Sequence, residues 1–142
     1  ALQSYLEHRQ KHVLVAIHAR MNEVYWALCR VSELGDSCEA VVYTVELIGQ
    51  ERVDAPEGLT VPKELASEPL VGIGSGFDYI ERFPQALRSQ LVSYDAAQRP
   101  KADTIIELAK NALAEGLVGD IKDAMPAYVR NTVTWKKLPG RG

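Results

Sequence analysis

The chain has 142 residues, enough for one domain of ordinary size that buries about two thirds of its unfolded surface. Hydrophobic residues make up 46% and charged residues 25%, and the net charge is −3. So slight an acidity excludes global nucleic-acid binding, which needs clustered excess Lys and Arg to neutralise phosphates.

No apolar run reaches the roughly 20 residues of a membrane-spanning helix, and no secretory signal segment is recognised. The expected location is the cytoplasm. Cys29 and Cys38 are expected to be reduced, structural thiols.

In chain order, Leu2, Tyr5 and Leu6 at near-helical spacing mark residues 1–12 as the remnant of an interdomain helix. His8 and His12 stand four apart and would share one face of that helix, a spacing able to hold zinc. However, His8-Arg9-Gln10-Lys11-His12 lacks the Glu of a metalloprotease motif and has no third ligand nearby, so a solvated pair is expected and no metal. Residues 13–19 and 24–31 are β-branched and aromatic runs joined at Met21-Asn22. They read as a hairpin with a tight two-residue turn, in which Arg20 faces Glu23 and His18 faces Tyr25. A third strand over residues 40–48 puts Val41, Tyr43, Val45 and Leu47 on one face and Thr44 and Glu46 on the other, as suits a sheet edge.

Beyond it, residues 60–66 read as a short helix with Pro62 in its first turn, and residues 69–74 as an apolar strand for the middle of a sheet. A helical stretch follows Gly76, and residues 91–94 form a fifth strand. Ile105, Ile106, Ala109, Ala112 and Leu113 form an apolar helical stripe that ends at Gly116 and leaves Leu108 outside it. The order βββαβαβα predicts an α/β fold: a mixed five-stranded sheet, three antiparallel strands extended by two parallel ones, with helices packed on it. That is the ribonuclease-H-like arrangement. Residues 13–125 are taken as this lobe and residues 126–142 as a basic, aromatic tail.

Gly72, Gly74 and Gly76, with Ser75 among them, lie between a strand and a helix, where amides and a helix dipole can hold an anion. A dinucleotide fingerprint would need its third glycine at Phe77, and no Lys follows to make a P-loop. On the residues alone the turn reads as a device for close helix–strand packing. His18, at the end of the first strand, reads as a rim histidine rather than a ligand or proton carrier. The tail carries Arg130, Lys136, Lys137 and Arg141, no acid, and Trp135 among them. Either its aromatic and apolar residues pack over the domain with the cations in water, or it docks on an acidic surface or RNA backbone.

Two strings are more specific than any folding rule demands: VLVAIHARMNEVYWA at residues 13–27 and PAYVRNTVTWKKLPG at residues 126–140. Together they resemble the C-terminal half of the bacterial TsaB (YeaZ) proteins, whose usual forms read roughly AIDARMGEVYWA and PxYLRNxVAWKKLPG; the Gly72-Ile-Gly74 turn also fits. The family's N-terminal half carries a Gly-rich GPGSFTGxR loop, and no such string occurs here. The resemblance implies the duplicated fold of actin-like ATPases. It further implies a pseudo-enzyme subunit of the machinery that forms N6-threonylcarbamoyladenosine in tRNA. The implied partners are the catalytic paralogue TsaD and the ATPase TsaE, with tRNA met indirectly, a homodimer possible and no membrane involved. No cofactor is implied for this half, ATP or ADP entering only in the full complex.

By the same resemblance the glycine turn lies near a nucleotide's adenosine, which makes His18, Gly72, Gly74, Ser75 and Gly76 the nucleotide-facing candidates and Arg130, Trp135, Lys136 and Lys137 the docking candidates. His18 stands where the family usually has Asp. A neutral imidazole, with a reference pKa of about 6.5, supplies no hard oxygen for magnesium, so hydrolysis is not expected. Nor is peptidase activity, since the chain shows no nucleophile–base pair or zinc motif despite the family's older glycoprotease label. The alternative reading is a nucleotide-binding lobe of an actin-like ATPase or glycoprotease-like enzyme.

Overall fold

The computed structural model describes residues 1–34, 41–126 and 128–129. The tail candidates Arg130, Trp135, Lys136 and Lys137, and also Cys38, lie outside them.

Two β-rich runs make the first two sheet strands, β1 (His12–His18) and β2 (Val24–Leu34), which pair antiparallel; β3 (Val42–Leu47) pairs with the far part of β2. A short strand β4 (Arg52–Asp54) pairs with Val24, Tyr25 and Trp26 at the near part of β2, so β3 and β4 share one flank. β5 (Leu70–Ile73) pairs parallel with β1, and β6 (Leu91–Asp95) pairs parallel with β5. The spatial order is β3-β2-β1-β5-β6. Every residue of β5 is buried, as its unbroken apolar character requires for an interior strand.

Alternation along β1 divides the core in two. Leu14 and Ala16 face one side, together with Trp26, Leu28, Phe77, Phe83 and Leu87. That side is covered by a 3-10 run at Ser75–Arg82 and by the helix α2 (Gln85–Gln90). Val13 and Val15 face the other side, where Val31, Val71 and Ile73 pack with Leu2 and Tyr5 of helix α1 (Leu2–His8) and with Leu108 of helix α3 (Ala102–Ala114).

Several expectations are corrected. The sheet has six strands, not five, because the Arg52–Asp54 pairing is too short to leave a periodic signal. The hairpin turn is longer than two residues: Ala19 N–H donates to Glu23 O at 2.8 Å, and Met21 and Asn22 both adopt left-handed backbone. His18 therefore pairs with Val24 and Ile17 with Tyr25, one residue off the expected register, which moves Tyr25 to the other face. The helix expected at 60–66 shrinks to one 3-10 turn at Lys63–Leu65, and the helical stretch after Gly76 begins as 3-10 before α2. His8 and His12 share no helix face, because Arg9 is left-handed and ends α1 between them. In α3 the expected stripe is turned outward. Ile105, Ile106 and Leu113 are exposed, while Leu108 packs on the core.

Candidate functional site at the carboxyl end of the parallel strands

β1 and β5 run parallel, so both carboxyl ends open on one rim of the sheet, the usual place for ligands in open α/β sheets. The sequence candidates gather there. The His18 backbone N–H donates to Ser75 Oγ at 3.1 Å. The His18 imidazole turns to Asp78, with Nε2 3.6 Å from Oδ2, and lies against the Tyr79 ring with centroids 4.7 Å apart. At 3.6 Å this contact is an ion pair when the imidazole is charged rather than a formed hydrogen bond.

Tyr79 carries the cluster onward. The Arg82 guanidinium lies 5.3 Å from its ring centre and makes a two-pronged bond to Glu57, Nε to Oε1 at 2.7 Å and Nη2 to Oε2 at 3.1 Å. That pairing holds the Glu57 carboxyl below its ordinary pKa. Asp78, Tyr79, Arg82 and Glu57 were not singled out from sequence. Three of them lie on a 3-10 run that helical periodicity does not register, and Glu57 arrives from a distant turn.

The glycines are filled by neighbours. A Cβ on Gly72 would fall 2.1 Å from the Phe77 ring. One on Gly74 would fall 2.4 Å from the Ala16 carbonyl oxygen, and Gly74 has φ +100°, a conformation side chains rarely adopt. One on Gly76 would fall 2.8 Å from the Ala16 Cβ. The Gly74 amide donates to the Asp95 carbonyl at 3.0 Å, so it is spent on the β5–β6 connection. All three residues are buried. The turn serves close packing of the 3-10 run against β1.

On the other face of the sheet, at the same rim, lies a cavity of about 300 Å³ between β1, β5 and the starts of α1 and α3. Gly74 and Ser75 line it together with Val15, Ile17, Ile73 and Leu108. No local motif announces it, since its walls come from four separate segments. Among the described residues no group of three or more His, Cys, Asp or Glu is placed to hold a metal ion, and no helix is long and apolar enough to cross a membrane.

No protein-family model matches the chain. Over 135 residues it is 34% identical to the tRNA threonylcarbamoyladenosine biosynthesis protein TsaB of Escherichia coli K12, covering 91% of this chain and 52% of that protein. It is 31% identical over 134 residues to the protein of the same name from Haemophilus influenzae, covering 94% and 54%. Among solved structures, YeaZ from Pseudomonas aeruginosa matches with a TM-score of 0.72 at 34% identity, over 89% of this chain and 54% of that one. A Pseudomonas aeruginosa protein described as similar to the peptidase YeaZ matches with a TM-score of 0.74 at 34% identity, over 91% and 54%. The chain thus spans about half the length of the relatives it matches.

Proposed function

Because the chain belongs to the TsaB/YeaZ family and matches about half the length of its members, we propose that it is the C-terminal lobe of a non-catalytic scaffold in the formation of N6-threonylcarbamoyladenosine in tRNA. In this reading the lobe has the ribonuclease-H-like arrangement of the actin-like superfamily and works in the cytoplasm. It supports the catalytic paralogue TsaD, with TsaE joining the complex and tRNA met through it.

The observation that carries the reading is the filled glycine turn. A lobe that closed on a nucleotide would keep the amides and space at this rim available, whereas here Phe77 covers Gly72 and Ala16 abuts Gly74 and Gly76. His18 adds to it, since it stands where the family usually keeps a carboxylate. Ser75 offers no activated nucleophile: its hydroxyl accepts from the His18 amide while the imidazole faces Asp78. Peptidase action is therefore no part of the proposal.

The test is retention of TsaD on the family-length protein containing this lobe, with ATP binding measured in parallel. Retention of TsaD and no saturable ATP binding by the protein alone are expected. Saturable ATP binding lost on His18→Ala would move the assignment to a nucleotide-binding lobe, and failure to retain TsaD would remove the scaffold. The basic tail is proposed to help in docking. Replacing Lys136 and Lys137 by Gln should change stability by no more than about 0.5 kcal/mol while weakening association with TsaD, TsaE or tRNA, most at low salt. Unchanged affinity for all three would leave the tail a solvated edge.

A further inference from the structure

The cavity under α3 has the build of a small-molecule site. Its lining is largely aliphatic: Leu2 from α1, Val15 from β1, Ile73 from β5 and Leu108 from α3 make the floor, with Ile17 of β1 and Ile105 of α3 nearer the opening. Close-packed interiors leave few voids larger than a water molecule, and an opening of about 300 Å³ reaches the lower end of the range for ligand pockets. Ile17 and Ile105 remain 47% and 58% exposed at its mouth, so an apolar guest would cover surface that water now wets.

The wall beside this floor is polar and contains both basic residues of the lining. Arg99 and Lys101 line the cavity on either side of Pro100, where the chain turns into α3. Arg99 Nη1 donates to the carbonyls of Ala96 at 2.8 Å and Gln98 at 3.0 Å, which ties the guanidinium to the loop. Two acids stand near. Glu7 lies 3.8 Å from Lys101 Nζ and accepts from Gln98 Nε2 at 2.9 Å, and Asp103 accepts from the Thr104 amide at 2.7 Å. Glu7 thus offsets part of the Lys101 charge, and Asp103 is engaged by the Thr104 amide, which leaves Arg99 the cation without a carboxylate partner among the described residues. An apolar floor beneath two cations suits one kind of guest.

We infer that this cavity binds a small amphipathic monoanion, an aliphatic or aromatic body carrying one carboxylate, with the body against Val15, Ile73 and Leu108 and the carboxylate toward Arg99 and Lys101. Burial of a growing chain fixes the quantitative signature, because each methylene removed from water strengthens binding by about fourfold until the cavity is full.

The experiment is calorimetric titration of this chain with straight-chain carboxylates from butanoate to decanoate, kept below micelle-forming concentrations, and with the alcohols of the same lengths. Expected is saturable one-to-one binding that tightens by about fourfold per methylene and then levels off, with each alcohol at least about tenfold weaker than its acid. Arg99→Gln with Lys101→Gln should bring acid and alcohol together. Leu108→Phe should move the plateau to shorter chains. Ile17→Phe should do the same, and because Ile17 lies half-exposed at the mouth it tests the point without disturbing the core. Ile121→Ser, on the exposed segment after α3, should change nothing. No saturable binding, equal affinity for acid and alcohol, indifference to Ile17→Phe, or loss on Ile121→Ser would each overturn the assignment.

Discussion

At the scale of single residues, the rim glycines and His12 show how much depends on a few atoms of space. Gly74 and Gly76 sit where β1 and the 3-10 run approach to contact, and their missing side chains are what allows it. Gly76→Ala should cost about 1–3 kcal/mol through overpacking against Ala16, and Gly74→Ala more, since it adds strain at positive φ to a clash with a carbonyl oxygen. Urea melts of the two variants check this, and the order of the losses is the decisive result. His12 is a different case. It is buried at the start of β1, its Nδ1 has no hydrogen-bond partner, and Glu68 Oε2 stands 3.8 Å away. Burial pushes the imidazole below its ordinary pKa of 6.5, Glu68 pulls it up, and Arg30 and Lys11 push it further down. As pH falls below about 6.5 the unfolded chain takes up this proton before the folded one, so the stability tied to neutral His12 is full above that pH and is lost on acidification. Urea melts at pH 7.5 and 5.5 should show a drop that His12→Gln reduces and Glu68→Gln enlarges.

Among the elements, α3 best separates what a sequence tells from what only packing decides. Ile105, Ile106, Ala109, Ala112 and Leu113 do form a helical stripe, and the helix does end at Gly116, with φ +71°, Gly116 N–H to Leu113 O and Leu117 N–H to Ala112 O closing the turn. The stripe nevertheless faces outward. Asn111 Nδ2 donates to the Tyr43 carbonyl at 2.7 Å and Leu108 reaches the core, which fixes the opposite rotation. Periodicity finds an apolar face but cannot say which of two candidate faces the sheet will take. Leu108→Ala should therefore cost about 2 kcal/mol and Ile106→Ala no more than about 0.5 kcal/mol, as denaturant midpoints would show. Equal losses would mean that α3 sits in another rotation.

The strands were easier to read. β1, β2, β3, β5 and β6 each follow from a β-branched or apolar run, with β3 at an edge and β5 in the interior as expected. The hairpin register was missed because Met21, an unlikely left-handed residue, joins Asn22 in the turn. Of the site, the packing role of Gly72, Gly74 and Gly76 was legible from their placement between strand and helix. The Asp78, Tyr79 and Arg82 contacts depended on a 3-10 path, and the cavity on four distant segments.

At the scale of the whole molecule, the sheet is a partition: the 3-10 run and α2 close one side, α1 and α3 the other, and β2 threads between the flank shared by β3 and β4 and the central β1. Cys29 lies in that position, opposite Val13 on one strand and Leu47 on the other, 6% exposed, and burial raises its pKa above the ordinary thiol value. The thiolate, which is the reactive form, is therefore scarce as well as sheltered. A reagent can reach it only when the layer over its face of the sheet lifts or the sheet itself opens, so alkylation becomes a clock for opening of the core. In a Cys38→Ser background, with Cys29 as the sole thiol, reaction with iodoacetamide should run at least about a thousandfold slower in buffer than in strong urea. With rising reagent its rate should level off at the opening rate itself. Rapid labelling in buffer would show that the two halves of the core part independently. Slow labelling would make this one sulfur a recorder of how often the fold comes undone as a unit.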